Sequence, residues 1–450
     1  MARITRSRRL FAVSAACLPL AAGLTACGGS SSSSSSETLV IAEWTNPASV
    51  AQTEKVDALF EKQHPGVTIR LQSAPTAANA WPTLQNSLLA SKSVDLLAQF
   101  PPTPKAFPPA SIGIKPTGTA ALIAAGQFLD LSKQPFMQRF DPVAQKYANG
   151  YNGGVYAVMT AEYVNSSGLF YKKDLLAKYG IPIPTTFGEF IGDLQTLKSK
   201  GITPVYVAGK DDYQNNVWAG IVNQLMMQDK PASDAASVYQ QRAQDFWSGT
   251  QSWDGPLYQE AAKRYEQVMA YIEPSAGGVP AQTAPGNWAV QGNDFPFFVD
   301  GSYDGNTIAK ADPQLKFGFM AIPGTDTAAW NRPVLAPDLS WAVPVWSKHQ
   351  QLALEWLDLF TQQGNYADWL KATGSLSAEP AVPTPSLSWT NWLSSHVAEG
   401  YPSASQPWVP SSFPKIAGGP DLTKMQPIGP QSTTDALKQS ADAYRSAPRS

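Results

Sequence analysis

The chain is short of the residues from which disulfides and metal sites are built. It has two cysteines, Cys17 and Cys27, and both lie near the start of a sequence of 450 residues. Three histidines stand far apart, at positions 64, 349 and 396, and there is no HExxH or CxxC spacing. We therefore expect no disulfide and no metal site, and a fold that is stabilised by burial of its core alone.

The chain also lacks an excess of positive charge. It has 33 Lys and Arg against 35 Asp and Glu, which gives a formal net charge of −2, and no basic patch is visible. Proteins that bind nucleic acid usually carry such a patch, so we expect no nucleic acid partner. Beyond the first 27 residues, no run is long and apolar enough to span a bilayer.

Common catalytic and nucleotide-binding motifs are missing as well. The chain has no GxSxG elbow, and no GxxxxGK[ST] or GxGxxG segment opens a helix. Glycoside hydrolysis needs only two carboxylates, so a surface-anchored glycoside hydrolase stays an alternative, with Glu162 and Asp304 as its candidate acids. The prediction is a protein that is not an enzyme and needs no cofactor.

The first 36 residues predict export followed by attachment to a membrane. Four arginines between residues 3 and 9 precede an apolar stretch at residues 10–26, as in a signal peptide covering residues 1–26. The sequence LTAC at residues 24–27 resembles a bacterial lipobox, which would make Cys27 the lipidation site; the alternative is an ordinary signal peptide with an incidental cysteine. Residues 27–36, which include seven consecutive serines, then form a flexible tether. We expect a lipid-anchored protein on the extracellular face of the cell membrane.

From residue 37 the apolar pattern alternates between strands and helices. Strands are predicted at residues 38–42, 67–71 and 94–98, and Asn46-Pro47 is a typical helix start between the first two. This alternation of predicted strands and helices predicts an α/β fold with a parallel sheet. The Pro-rich residues 100–118 follow the third strand, at the sheet edge where α/β folds place ligands, although a surface insertion without function is an equal alternative.

Four segments, in this order, resemble family 1 of the extracellular solute-binding proteins of ABC importers, the branch similar to maltose-binding protein. The strongest is residues 152–205, which contain NGGVY, FYKKDLLAKYGIPIPTTFGEF and LKSKGITP. The others are GQFLDL at residues 126–131, FPFFVDGSYD at 295–304 and DLSWAVPVWSKHQQLALEWLDLFT at 338–361. The resemblance covers most of residues 38–375.

The resemblance implies an α/β fold of the periplasmic-binding-protein-like type II class. Two α/β lobes are then joined by hinge crossovers, with a ligand cleft between them. Residues 37–160 and 320–362 would form lobe 1, and residues 161–319 and 363–450 would form lobe 2. The implied function is capture of a sugar or oligosaccharide by hinge closure and its delivery to ABC permease subunits. We expect a monomer.

A sugar cleft needs aromatic rings for the apolar faces of the sugar and carboxylates or amides for its hydroxyl groups. Such side chains are expected just after strands and at the crossings between lobes. The predicted ligand-binding residues are Trp44, Asn46, Trp81, Gln99, Glu162, Tyr163, Trp218, Tyr303, Asp304, Trp341 and Trp408. Core packing is the alternative for Trp44, Trp81 and Trp218, a helix cap for Asn46 and a hinge salt bridge for Glu162.

Other solutes remain open within the same family. A binder of polyamines, metal chelates or organophosphates would need a cluster of acids or a basic cradle for an anion, and neither is visible in the sequence. A structural or sensory lipoprotein that binds nothing in its cleft is a further alternative.

Overall fold

A computed structural model describes residues 37–75, 80–101, 118–142, 145, 149–161, 164–165, 167–336, 338–402, 409–410 and 412–448. The predicted leader, Cys27 and the tether lie outside this part. The strands are β1 (Glu37–Trp44), β2 (Val67–Ala74), β3 (Leu96–Gln99), β4 (Gly150–Tyr151), β5 (Gly154–Val155), β6 (Val158–Met159), β7 (Val164–Asn165), β8 (Gly168–Lys172), β9 (Val205–Val207), β10 (Phe297–Asp300), β11 (Phe317–Ala321), β12 (Val334–Ala336), β13 (Ser340–Ala342) and β14 (Tyr401–Pro402).

The helices alternate with these strands along much of the chain. They are α1 (Pro47–Gln63), α2 (Ala80–Ser91), α3 (Gly118–Ala124), α4 (Lys173–Lys178), α5 (Phe187–Ser199), α6 (Gln214–Met226), α7 (Ala235–Ser248), α8 (Pro256–Met269), α9 (Ala284–Val290), α10 (Gly305–Ala311), α11 (Gln350–Phe360), α12 (Gln363–Thr373), α13 (Thr390–His396) and α14 (Thr433–Ser446). Among the described helices, we find none with the length and apolar character needed to cross a bilayer.

The first lobe is built on a five-stranded sheet in the order β2-β1-β3-β13-β6. Strand β1 runs parallel to β2 and β3, as the sequence predicted, whereas β13 is antiparallel to β3 and β6. The last six residues of β1 are buried, which explains its continuous apolar run. Helices α1, α11 and α12 supply side chains to the core on this sheet.

The predicted start of α1 is confirmed in detail. Asn46 is the N-cap, and its Oδ1 accepts hydrogen bonds from the backbone N–H of Ala48 at 2.9 Å and of Ser49 at 3.2 Å. Pro47 occupies the first turn, where its missing N–H costs nothing. The helix therefore begins directly after the carboxyl end of β1, and this fixes where residues 44–49 lie.

The second lobe contains a four-stranded sheet in the order β11-β8-β10-β9. Strand β8 is antiparallel to both β10 and β11, and β10 is parallel to β9. Helices α5, α6, α8 and α14 pack their apolar faces into one core with strands of this sheet. The N-terminus of α5 carries the expected capping box between Thr186 and Glu189.

Two of the chain segments that connect the lobes pair with each other. The chain leaves the first sheet after β6 and enters the second at β8, and it returns between β11 and β13. Strand β12 of the return connection pairs antiparallel with β7 of the outgoing connection, with Leu335 opposite Asn165, and parallel with β14 from later in the chain. The two connections and β14 therefore form a small sheet in the order β14-β12-β7.

The structure corrects two parts of the predicted lobe assignment. Residues 320–322 were assigned to lobe 1, but Met320 and Ile322 belong to the core of the second lobe because β11 pairs with β8. Residues 363–450 were assigned to lobe 2, yet Tyr366, Trp369 and Val382 pack in the core of the first lobe. Helix α12 continues the apolar surface of α11, since the ring of Phe360 contacts both Tyr366 and Trp369.

A buried tryptophan connects elements of both lobes. The Trp389 ring stacks on Phe317 of β11, with ring centroids 5.3 Å apart and planes at 12°. A side chain at either of two glycines would collide with this ring: Gly305 at the start of α10 and Gly374 after α12, where φ is +67°. The two glycines therefore allow α10 and the end of α12 to approach Trp389 closely.

We expect Gly305→Ala to lower the free energy of unfolding by about 1–3 kcal/mol, because its methyl group would overpack the Trp389 ring. Gly192→Ala is the matched control. Gly192 is an exposed position inside α5 with nothing near its added Cβ, so alanine should stabilise the protein there by up to about 1 kcal/mol. Urea denaturation of both variants checks this, and equal effects would contradict the account.

The first lobe buries two carboxyl groups, one on β1 and one on α1. Glu43 of β1 is fully buried, and Asp57 accepts a hydrogen bond from Nε1 of Trp356 at 2.8 Å. Burial raises the pKa of Glu43 from 4.5 to about 8, despite the nearby hydroxyl groups of Thr53 and Ser49. Burial likewise raises the pKa of Asp57 to about 7. Both groups thus favour the protonated form in the folded protein.

This burial predicts that stability falls as the pH rises. The folded protein keeps a proton on Glu43 that the unfolded chain releases above about pH 4.5, so this contribution is lost between pH 4.5 and about 8. The slope for one group is at most about 1.4 kcal/mol per pH unit. Glu43→Gln should therefore lose less free energy of unfolding than the wild type between pH 5 and pH 8. Lys55→Gln, an exposed change on α1, should behave as the wild type; identical slopes for all three proteins would refute the assignment.

Candidate functional site

A cleft of about 350 Å³ lies between the two lobes. Its volume is within the range of small-molecule sites. The first lobe, the second lobe and the return connection between them all contribute to its walls. The lining residues are Trp44, Thr45, Asn46, Pro47, Ser49, Pro75, Phe100, Tyr213, Ala281, Gln282, Tyr303, Asp304, Thr307, Ala336, Asp338, Leu339, Trp369 and Thr373.

The first wall is aromatic. Trp44 ends β1, and the Trp81 ring meets it edge to face at 5.9 Å and 70°. The Phe100 ring stacks on Trp44 at 4.4 Å and 12°. Phe100 is 52% exposed, whereas Trp44 is only 7% exposed. Phe100 therefore presents the accessible ring of this wall, and the two tryptophans support it from behind.

The parallel sheet explains why these rings meet. Trp44 and Phe100 stand at the carboxyl ends of the neighbouring parallel strands β1 and β3, with the Phe100 position directly after β3. The carboxyl ends of parallel strands form one edge of a sheet, and ligands bind outside that edge in α/β folds. The N-terminal turn of α1 adds Asn46, Pro47 and Ser49 to the same edge.

The second wall is a group of phenol and carboxyl side chains. Tyr303 and Asp304 form a turn between β10 and α10, and Tyr213 precedes α6. Asp300, at the end of β10, is fully buried next to Tyr303 and Asp304, and its Oδ1 accepts a hydrogen bond from the Gly301 N–H at 2.7 Å. A side chain at Gly301 would collide with the Tyr303 ring, so the glycine permits the position of this ring.

The return connection completes the cleft with a further acid. Asp338 and Leu339 lie between β12 and β13, and Asp338 is half-buried. Trp369 and Thr373 of α12 also line the cleft. Asp338 and Asp304 thus reach the cleft from different segments of the chain.

The electrostatic environment of the cleft is acidic. Burial is the main cause that raises the pKa of Asp300 and Asp304, and each also has a neighbouring carboxylate that raises it further. Burial also raises the pKa of Asp338 from 3.8 to about 6. The pKa values of Tyr213 and Tyr303 are raised by burial and by these same carboxylates, so both phenols stay protonated donors.

The structure brings four of the predicted residues to the cleft, namely Trp44, Asn46, Tyr303 and Asp304. Trp81 is buried behind Trp44. Gln99 is buried beside the cleft, where its Oε1 accepts a hydrogen bond from Thr119 at 3.3 Å.

Two predicted ligand residues are corrected to core residues. Trp218 lies on α6, 2% exposed, with its ring against the edge of Tyr265 in the second core. Trp341 lies on β13, fully buried against Trp356 in the first core. In both cases the side chain points to the sheet–helix interface rather than to the cleft edge. Glu162, Tyr163 and Trp408 lie outside the described residues.

Sequence reasoning missed several lining residues. Phe100 lies in the Pro-rich segment and is not among the predicted ligand-binding residues, although its place directly after the third strand is a usable signal of a cleft residue. No local signal marks Asp338 or Tyr213. Asp338 reaches the cleft because the return connection crosses between the lobes there, and Tyr213 reaches it from the turn that precedes α6. Trp369 was missed since α12 was assigned to the other lobe. No acid cluster is visible in the sequence, whereas the structure brings Asp304 and Asp338 to the cleft, with Asp300 buried next to Asp304.

Two other cavities of similar volume lie within the second lobe alone. One, of about 370 Å³, is lined by residues of Met269–Gly278 with Pro427 and Ile428. The other, of about 400 Å³, lies between Phe246–Tyr258 and Tyr444–Arg445. We favour the cleft as the functional site because both lobes line it. Among the described residues, no group of His, Cys, Asp and Glu is arranged to hold a metal ion.

Solved structures of two sugar-binding proteins share the fold of this chain. RafE in complex with raffinose superposes with a TM-score of 0.69 at 20% identity, over 91% of this chain and 100% of that one. A Bacillus licheniformis sugar transporter in complex with stachyose gives a TM-score of 0.66 at 18% identity, over 90% and 100% of the two chains. These similarities establish the fold, and they confirm the predicted periplasmic-binding-protein-like architecture.

Sequence relatives agree with the fold. The multiple sugar-binding protein of Streptococcus mutans is 23% identical over 410 residues, which cover 83% of this chain and 86% of the relative. The sequence profile of the bacterial extracellular solute-binding proteins matches residues 44–367, which is well over half of the chain. Proteins of this family bind solutes and are not enzymes. The chain therefore belongs to the bacterial extracellular solute-binding protein family.

Proposed function

We propose that the protein captures a carbohydrate, in the form of an oligosaccharide, in the cleft between its lobes. The observation that carries this proposal is the pairing of an aromatic wall, headed by Phe100, with a wall of hydroxyl and carboxyl groups around Tyr303. Sugars present apolar C–H faces and polar edges, and these two walls match both. The relatives named for raffinose, stachyose and multiple sugars support the same ligand class.

Each wall has a distinct role in this proposal. Burial of roughly 100 Å² of sugar face on a ring stabilises the complex by about 2.5 kcal/mol. Hydroxyl groups of the sugar then donate to the carboxyl oxygens of Asp304 and Asp338, and such charge-assisted bonds are stronger than neutral ones. The phenol of Tyr303 stays protonated and can donate to a sugar oxygen.

Capture proceeds by closure of the lobes. We assign residues 37–159 and 339–382 to the first lobe and residues 168–322 and 389–448 to the second. The paired connections β7 and β12 then act as the hinge. A ligand that contacts both walls favours the closed state, since only that state provides both sets of contacts.

In this proposal the protein lies outside the cell and is attached to the membrane by a lipid anchor. The lipobox at residues 24–27, with Cys27 lipidated, and the serine tether support attachment to the outer face of the membrane. The loaded protein then delivers its sugar to the permease subunits of an ABC importer as a monomer. Membership of an extracellular solute-binding family supports this location.

Calorimetric titration of the full-length chain in mild detergent tests the proposal. The panel contains raffinose, stachyose, maltotriose, chitotriose and xylotriose, with a polyamine and a phosphodiester as controls. The expected result is one-to-one binding of at least one sugar with a micromolar or lower Kd and no reaction product. Binding of only a control compound would keep the fold and overturn the proposed ligand class.

Phe100→Ala should weaken binding of that sugar by about 60-fold, because the exposed ring of the aromatic wall is lost while the core is untouched. Ile183→Ala removes a similarly exposed apolar side chain, 48% accessible, away from the cleft, and should leave the Kd unchanged. An unchanged Kd in Phe100→Ala would remove this ring from the site.

A further inference from the structure

The charges that face the cleft are of one sign. Asp304 enters from the second lobe and Asp338 from the return connection; both line the cleft, and the charge of Asp338 is close enough to raise the pKa of Asp304. None of the described residues that line the cleft is Lys, Arg or His. A solute between these two acids thus meets negative charge without a compensating cation.

The charged groups directly behind the lining residues are also acidic. Asp300 is buried behind Asp304, and Asp211 accepts a hydrogen bond from the N–H of the lining residue Ala281 at 2.8 Å. Two further titratable groups at this wall, Tyr213 and Tyr303, are neutral when protonated. The acidic potential therefore comes from several groups on the second wall and the return connection, and it acts over several ångströms in a partly buried site.

We propose, on the basis of the sugar-binding function above, that the carboxyl pair Asp304 and Asp338 selects sugars by charge. Of three sugars that differ in one substituent, the cleft binds the ammonium-bearing sugar most tightly, the hydroxyl-bearing sugar next and the carboxylate-bearing sugar least. The ligand class is thus extended to amino sugars, and sugars with a uronic acid are rejected.

Each step of this order has a physical reason. An ammonium group donates hydrogen bonds to both carboxylates and relieves their mutual repulsion. A hydroxyl group also donates a hydrogen bond, but it carries no charge that relieves the repulsion between the two carboxylates. A carboxylate adds a third negative charge to a cleft that has lost part of its water, and like charges there disfavour binding.

The test uses a matched set of three sugars: raffinose, its 6-amino-6-deoxy derivative at the terminal galactose, and its uronate at the same carbon. Calorimetric titration of the full-length chain at pH 8 should give a Kd about tenfold lower for the amine than for raffinose, and about tenfold higher for the uronate. At pH 5 the differences should shrink, because carboxyl groups with raised pKa values take up protons. Equal affinities at both pH values, or tightest binding of the uronate, would overturn the proposal.

Variants distinguish the effect of the carboxyl pair on affinity from the effect of the net charge of the protein. Asp304→Asn combined with Asp338→Asn should abolish the preference for the amine and allow the uronate to bind as raffinose does. Asp368→Asn removes one charge from the exposed side of α12 and should keep the full order of affinities. The pH comparison needs only the wild-type protein, so it decides the question if the double variant does not fold.

The two proposals fail in different ways. If raffinose binds and its derivatives bind equally well, the charge selection is wrong and the sugar-binding function stands. If no sugar of the larger panel binds while the polyamine does, the carbohydrate function itself is wrong.

Discussion

The pairing of β7 with β12 is the constraint on which the cleft depends. Each strand belongs to a connection between the two sheets, one outgoing and one returning, and Leu335 stands opposite Asn165 where they meet. Hydrogen bonds between the connections hold two independently packed cores at one junction without merging them. The cleft is the space that remains beside this junction, and Asp338 enters it because it follows β12 so closely.

The two walls of the cleft arise from different features of the sheets. In the first lobe the aromatic rings follow the carboxyl ends of parallel strands, an edge that the fold leaves open. In the second lobe the turn after β10 places Tyr303 and Asp304 next to the buried Asp300. Burial and the neighbouring carboxylates disfavour the charged form of these acids. Under the proposed function, a donor-rich solute offsets this cost, and it favours the closed state because only that state gives it contacts with both walls.

Much of the fold could be predicted from local patterns, whereas much of the site could not. The cap at Asn46, the capping box at Thr186 and the buried strand β1 depend on neighbouring residues, and the structure confirms them. Trp218 and Trp341 were misassigned because a tryptophan near a strand or a helix start can face the core or the cleft, and one sequence does not give the direction. The convergence of Asp304 and Asp338 depends on how the connections cross, which no local pattern contains. For Glu162, Tyr163 and Trp408 the role in binding remains a prediction.

A crystal structure of the protein with the sugar that binds most tightly tests the central claim most directly. We expect one sugar molecule in the cleft. Phe100 should lie against a sugar face on one side, and the side chains of Tyr303 and Asp304 should lie within hydrogen-bond distance of sugar oxygens on the other. A sugar that contacts residues of only one lobe, for example in the cavity beside Met269 and Ile428, would contradict capture between the lobes.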